Sequence, residues 1–239
     1  MRNLKLTDYE FEMDMDELTD LIGEAVNKSK KGEGIDFEDI VDLHNALDRQ
    51  IYIGDVSAGL GVAVDTMIRF WNKYDNENNT PIEDRKPIKV YIDSCGGSLT
   101  DAFTIINTIK MSKTPVYTIV IGSAYSAGFF ISIAGHKRYA YPLASFLYHE
   151  GSAANGGTAN QFQNFSEFYK KQLKQLKEHT LDCTKISEEL YEEKKRDDWW
   201  LDANEALEKA YGVPAAMLKN GEDMTREQLQ QSADAIQQI

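Results

Sequence analysis

Residues 88–135 read IKVYIDSCGGSLTDAFTIINTIKMSKTPVYTIVIGSAYSAGFFISIAG, and their patterning decides the fold class. Ile88–Ile92 is a run of β-branched and aromatic residues, the pattern of a buried strand. Gly96-Gly97-Ser98 breaks it, and Leu99–Met111 follows as a helix. Pro115–Ile121 is a second such strand. A small-residue turn and a helix from Ser126 to Ala134 come after it. Strands joined by crossover helices predict an α/β protein with right-handed connections.

The alternation continues on both sides. Upstream, Ile51–Ile53 reads as a short strand ended by Gly54-Asp55. Val62–Tyr74 reads as a helix with Val62, Met67, Ile68 and Trp71 on or near one face, and the polar stretch Asn76–Arg85 reads as a loop. Downstream, Ser145–Tyr148 is a strand leading into His149, and GSAANGG (Gly151–Gly157) is a loop. A long helix then runs from Thr158 to about Thr180. Its stripe of Phe162, Phe165, Tyr169, Leu173 and Leu176 is narrow, which suits packing against another chain or against the protein's own core. Ile186–Lys195 and Glu205–Ala210 read as further helices, with the pair Trp199-Trp200 between them. The tail beyond Asn220 is polar and reads as frayed.

The first forty residues stand apart. They hold twelve acids and five bases, so −7 of the net charge of −13 sits there. Met15, Leu18, Ile22 and Ala25 allow a helix from about Asp14 to Lys28, before the break KSKKGEG. Three regions are expected: an acidic extension (1–40), the main domain (41–219) with its long helix at about 158–180, and a polar tail (220–239).

A chain of 239 residues with 42% hydrophobic and 27% charged residues can bury a core of one or two domains. The acidic balance argues against nucleic acid or an anionic membrane as partner. Two cysteines, Cys95 and Cys183, fit a reducing compartment. The N-terminus lacks the apolar core of a signal peptide, and the longest apolar stretch, Ala124–Ala134, is about half a membrane span. A cytoplasmic protein is expected.

Three features could carry chemistry. In Gly122–Gly128 (GSAYSAG) a helix begins at Ser126, which would project its hydroxyl into a cleft and leave the N–H of Ala127 unpaired. The rival reading of Ser126 is a plain helix cap. Gly96-Gly97 lets backbone approach a ligand, and a free N–H there could complete an oxyanion hole; its rival is a plain turn. His149 stands at a strand end before a glycine-rich loop, where a general base often sits, whereas His44, His136 and His179 are weaker candidates. No pair of histidines or cysteines has metal-ligand spacing, so no metal site is expected.

YIDSCGGSLTDAFTIINTIK, VIGSAYSAGFFISIAG and SFLYHEG, taken together, resemble the proteolytic subunit of the Clp protease, ClpP. The family's motifs are Y-I-N-S-P-G-G, G-x-A-A-S-M-G and M-I-H-Q, in that order, and the likeness runs from about Asp42 to Gly212. The family's acid lies in R-D-x-F/W-L, and RDDWWLDANEAL puts Asp198 in its place. The resemblance implies a ClpP/crotonase-like spiral of ββα units in which the long helix is the handle between stacked heptameric rings. It implies a serine endopeptidase with Ser126 as nucleophile, His149 as base and Asp198 orienting it, and with Gly97 and Ala127 donating N–H groups to the oxyanion. Substrates would be unfolded proteins or peptides inside a ring or double ring. No cofactor would belong to this chain, since ATP would be used by a separate AAA+ unfoldase docking near Tyr91, Ile119, Tyr139 and Tyr141.

Several positions depart from the family. Cys95 replaces a proline, Lys89 stands where an aromatic is expected, Asp197 precedes Asp198 in place of arginine, and the acidic extension has no counterpart. They mark a divergent member and leave a viral or mobile-element origin open. Rival readings are a non-catalytic ring subunit, an acyl-CoA enzyme of the same superfamily, or a serine–lysine peptidase using Lys137 or Lys113.

Overall fold

The computed structural model describes residues 45–208, together with Gly23 and the residues 218–219 and 222–223. The acidic arm, apart from Gly23, and His44 lie outside the described residues.

A six-stranded sheet organises the domain, in the order β1-β2-β3-β5-β6 with β4 also paired to β3. The strands are β1 (Gln50–Ile53), β2 (Ile88–Ser94), β3 (Val116–Tyr125), β4 (Lys137–Ala140), β5 (Ser145–Tyr148) and β6 (Trp199–Asp202). Helices α1 (Leu60–Glu77), α2 (Leu99–Met111) and α3 (Ala127–Ser132) connect the first four strands. They are followed later by α4 (Ala159–Cys183), α5 (Glu188–Lys194) and α6 (Ala203–Glu208). All pairings are parallel except β5 with β6. This is the mixed α/β architecture that the resemblance implies.

Strand β3 is longer than the sequence pattern predicts. Gly122–Tyr125, expected as a turn, continue the strand, because β5 supplies ladder partners to Ser123, Ala124 and Tyr125. Pairing with β2 occupies one edge of β3, and the opposite edge is divided between β4 at 117–120 and β5 at 123–125. Strands β4 and β6 were not legible: KRYA is short and half polar, and Trp199-Trp200 gives no turn signal before it. The helix expected from Glu205 begins at Ala203. Glu222–Asp223, expected as frayed tail, pair as β8 with β7 (Leu218–Lys219).

One face of the sheet makes the core. Ile88, Val90 and Ile92 point inward with Val116 and Val120, against Val64, Ile68 and Trp71 of α1 and Ile105 and Ile109 of α2. Buried positions of α1 recur at spacings of three and four and end at Asp75, a carboxylate only 2% exposed. It is paired bidentately with buried Arg49 at 2.7 and 2.8 Å and accepts from the Thr114 hydroxyl at 2.7 Å. Arg85 donates in turn to Thr114, Asn76 and the Thr80 carbonyl. Burial pushes the Asp75 carboxyl up, but the bonds from Arg49 and Thr114 and the charges of Arg49 and Arg85 outweigh it and hold it below its ordinary range. This network ties the starts of β1 and β3 to the end of α1.

The long helix α4 starts with a capping box, in which Thr158 accepts from the Gln161 N–H and Gln161 Oε1 accepts from the Thr158 N–H. The two readings of its stripe divide along its length. Leu176, His179 and Thr180 are buried in the core, whereas Phe162 and Phe168 are each 57% exposed. The His179 Nε2–H donates to the Phe130 carbonyl of α3 at 2.9 Å, and its Nδ1 lies 3.4 Å from the Cys183 Sγ. No described helix is long and apolar enough to cross a membrane.

Burial, assisted by the charge of Lys110, lowers the His179 pKa to about 4. The unfolded chain, with an ordinary histidine near 6.5, therefore binds the proton first as pH falls. Stability is complete above about pH 6.5 and is lost toward pH 4, by up to about 3 kcal/mol. His179→Gln keeps a donor for Phe130 and removes the titration, so its melting temperature should fall less steeply than wild type across this window. Parallel slopes would contradict the assignment.

Candidate active site

Ser126 is the first residue past β3 and precedes α3. Its backbone angles, φ 54° and ψ −118°, are those of the first central residue of a type II′ turn, a region ordinarily kept for glycine. Holding a serine there costs about 1–3 kcal/mol, which the surrounding ladder must offset. The Ser126 N–H donates to the Leu147 carbonyl at 3.0 Å, locking the turn to β5. Its side chain makes no capping bond to the helix, so the plain-cap reading does not hold. The N–H of Ala127 donates to no described residue and stands at the positive end of α3.

The glycine loop after β2 lies against this elbow. A Cβ on Gly96 would sit 2.7 Å from the Ser126 Cβ and 3.3 Å from the Ala127 nitrogen. Within 95–98, the Cys95 N–H is held by Asp55, the Gly96 N–H by the Ser94 hydroxyl and the Ser98 N–H by the Val56 carbonyl. Only the N–H of Gly97 donates to no described group. Gly97 has φ 138° and pairs with Val56 in a β-bridge, and a Cβ there would fall 2.3 Å from the Val56 oxygen. The loop thus offers one free donor beside the free donor of Ala127, as an oxyanion hole requires.

His149 arrives through register. Leu147 pairs with Tyr125, so His149 lies just beyond the strand end beside Ser126. On the other edge of β5, Tyr148 pairs with Trp199, and one step further the same antiparallel register sets His149 opposite Asp198. His149 Nδ1 is 3.5 Å from Asp198 Oδ1. Its Nε2 is buried without a hydrogen-bond partner, so the bond to Ser126 Oγ is not made in this structure.

Other sequence candidates fall elsewhere. Lys137 pairs with Tyr117, nine residues before Ser126 along β3, which is about 30 Å at strand rise, and Lys113 precedes that strand. Neither can reach Ser126. His136 accepts the Val116 N–H and His179 is engaged with Phe130, so both serve the framework. Tyr91, Ile119, Tyr139 and Tyr141 gather around the earlier half of β3, about 20 Å from Ser126 at strand rise. Ile119 is only 2% exposed and forms the floor of that group, whereas Tyr141 is 42% exposed. Among the described residues no three His, Cys, Asp or Glu side chains are grouped to hold a metal ion.

The family model described as Clp protease matches residues 80–220, more than half of the chain, a span that includes Gly97, Ser126, His149 and Asp198. The chain belongs to the Clp protease family. Among its relatives, the ATP-dependent Clp protease proteolytic subunit of Lactococcus lactis subsp. cremoris is 29% identical over 84% of this chain and 96% of that protein. Subunit 2 from Prochlorococcus marinus strain MIT 9312 is 32% identical over 75% and 87%. Subunit 2 of Treponema pallidum is 30% identical over 59% and 71%.

Sequence reasoning missed the residues that hold this candidate site in shape. Val56 braces Gly97 from both sides, and Asp101 accepts from Ser98, Gly59 and Gly61, stitching the loop's helix cap to the start of α1. The turn at Gly54-Asp55 was the only local hint of Val56. Tyr125 bonds Ser145 at 2.7 Å and packs edge-on against Trp200.

Gly97→Ala tests the brace. Its positive φ alone costs about 1–3 kcal/mol, and the clash with Val56 backbone adds to it. A clear fall in the denaturant midpoint is expected; an unchanged midpoint would mean that the bridge to Val56 is not formed.

Proposed function

We propose that the chain is a Clp-type serine endopeptidase working through Ser126, His149 and Asp198. One observation carries this reading: a buried, unpartnered imidazole nitrogen beside a strained serine and two free backbone N–H groups. The names of its relatives, ATP-dependent Clp protease proteolytic subunits, support the same chemistry.

In the proposed reaction Ser126 Oγ attacks the peptide carbonyl while His149 Nε2 takes its proton. The carbonyl oxygen becomes an oxyanion between the N–H groups of Gly97 and Ala127. Collapse breaks the C–N bond, and the proton on His149 leaves with the amine. Water then attacks the acyl carbon while His149 takes its proton, and that proton returns to Ser126 Oγ as the acyl–oxygen bond breaks and the acid leaves. Asp198 accepts from Nδ1–H, which keeps Nε2 free as base and stabilises the imidazolium. The Oγ–Nε2 contact need only tighten when substrate binds, a common change between free and occupied sites.

The exposed Phe162 and Phe168 on α4 suit the handle role, in which copies stack as rings around a chamber and a separate AAA+ ATPase feeds unfolded chains. ATP would then be used by that partner. An acyl-CoA enzyme would have no use for an imidazole aligned with Asp198, so the peptidase reading is preferred.

Hydrolysis of fluorogenic peptides tests the roles. Ser126→Ala and His149→Ala should each abolish turnover with folding intact. Asp198→Asn should lower kcat by about 10⁴ with little change in KM. Turnover surviving Ser126→Ala would overturn the proposal.

A further inference from the structure

The sheet face opposite the core carries two rows set by register. Gln50, Lys89, Tyr117 and Lys137 are ladder neighbours across β1, β2, β3 and β4, and Tyr52, Tyr91, Ile119 and Tyr139 form the next row. Alternate residues share a face, so both rows lie opposite Ile88, Val90 and Ile92. Tyr52 stacks on Tyr91 at 4.9 Å, and the Lys137 ammonium stands 5.1 Å from the Tyr117 ring centre. Tyr52 is 53% exposed, so the β1 end of the tyrosine row is open to a partner.

Lys89 is the anomaly. The residue is only 3% exposed, yet its ammonium is not among the buried atoms left without a partner, so the stem is covered while the charge reaches the surface. The nearby carboxylate of Asp48 is engaged with Lys86 at 3.0 Å. Burial and then the charge of Lys86 lower the Lys89 pKa, against the opposing pull of Asp48. The Asp48 carboxylate that acts on Lys89 is shared with Lys86, so a further carboxylate brought to this row would be drawn to Lys89 and to Lys137.

The chain itself contains a matching segment. Residues Tyr9–Asp16 read YEFEMDMD, with Tyr9, Phe11, Met13 and Met15 alternating strictly with Glu10, Glu12, Asp14 and Asp16. No basic residue falls between Asp8 and Asp20. Laid extended between the two rows, such a segment turns its apolar side chains to the tyrosines and its carboxylates to Lys89 and Lys137. We propose that this sheet face is the docking site of the chain's own acidic arm, through residues Tyr9–Asp16. The 33 residues from Glu17 to Arg49 span about 30 Å on the flexible-chain scale, against about 15 Å across four strands.

The docking itself does not depend on the peptidase reading. One consequence does rest on the partner-docking reading: an arm seated over Tyr91 and Tyr139 competes with any ATPase loop for the same face.

Zero-length carboxyl–amine crosslinking of the full-length protein, read by mass spectrometry, tests the proposal. Amide links should join Lys89 or Lys137 to Glu10, Glu12, Asp14 or Asp16. In the full-length variant carrying Glu10→Gln, Glu12→Gln, Asp14→Asn and Asp16→Asn, acetylation of Lys137 should be several-fold faster, with Lys174 on α4 unchanged. Arm crosslinks confined to other lysines, or equal Lys137 acetylation in both proteins, would overturn it. Neither readout involves catalysis, so failure here is distinct from failure of the peptidase reading.

Discussion

Everything at the candidate site depends on the ladder between β3 and β5. That ladder extends β3 to Tyr125 and makes the chain turn at Ser126 with the strained angles of a glycine-like position. The Leu147 carbonyl then holds the Ser126 N–H, which leaves the next N–H, on Ala127, free. Because β5 also pairs with β6, the same strand delivers His149 to the serine on one side and to Asp198 on the other. One short strand therefore sets the positions of all three side chains.

The strain at Ser126 can persist because both ends of the sheet are fastened. At the starting end, Arg49, Asp75, Thr114 and Arg85 form a satisfied buried network, the condition under which buried charge can be tolerated. At the site end, α3 is clamped between β2, where Gly128 leaves no room for a Cβ against Ser94, and α4, where His179 holds the Phe130 carbonyl. The long helix α4 is thus also a brace for α3, the helix that starts immediately after the serine.

The sequence made the fold class legible wherever hydrophobic periodicity was strong. Leu99–Met111 and Ser145–Tyr148 were read with the observed bounds, and α4 was read within three residues at its end. Gly122–Tyr125 misled because small residues mimic a turn, while the pairing that makes them strand comes from β5, over twenty residues away. β6 was invisible for a similar reason: its four residues are strand only because β5 is there. Ser126, Gly97 and His149 could be singled out from local pattern, but Asp198 entered only through family likeness. Long-range register, which places it opposite His149, leaves no local trace. Val56 and Asp101 act through backbone groups and a helix end, and nothing in their identity announces such roles.

The most direct test of the account is fluorophosphonate labelling of the full-length protein, with the labelled peptide sequenced and the intact assembly sized by native mass spectrometry. The account predicts one phosphonylated residue, Ser126, on a ring-sized assembly, and no labelling after His149→Ala. Label on another serine, or on Ser126 equally with and without His149, would contradict the claim that sheet register has built an activated nucleophile at this strand end.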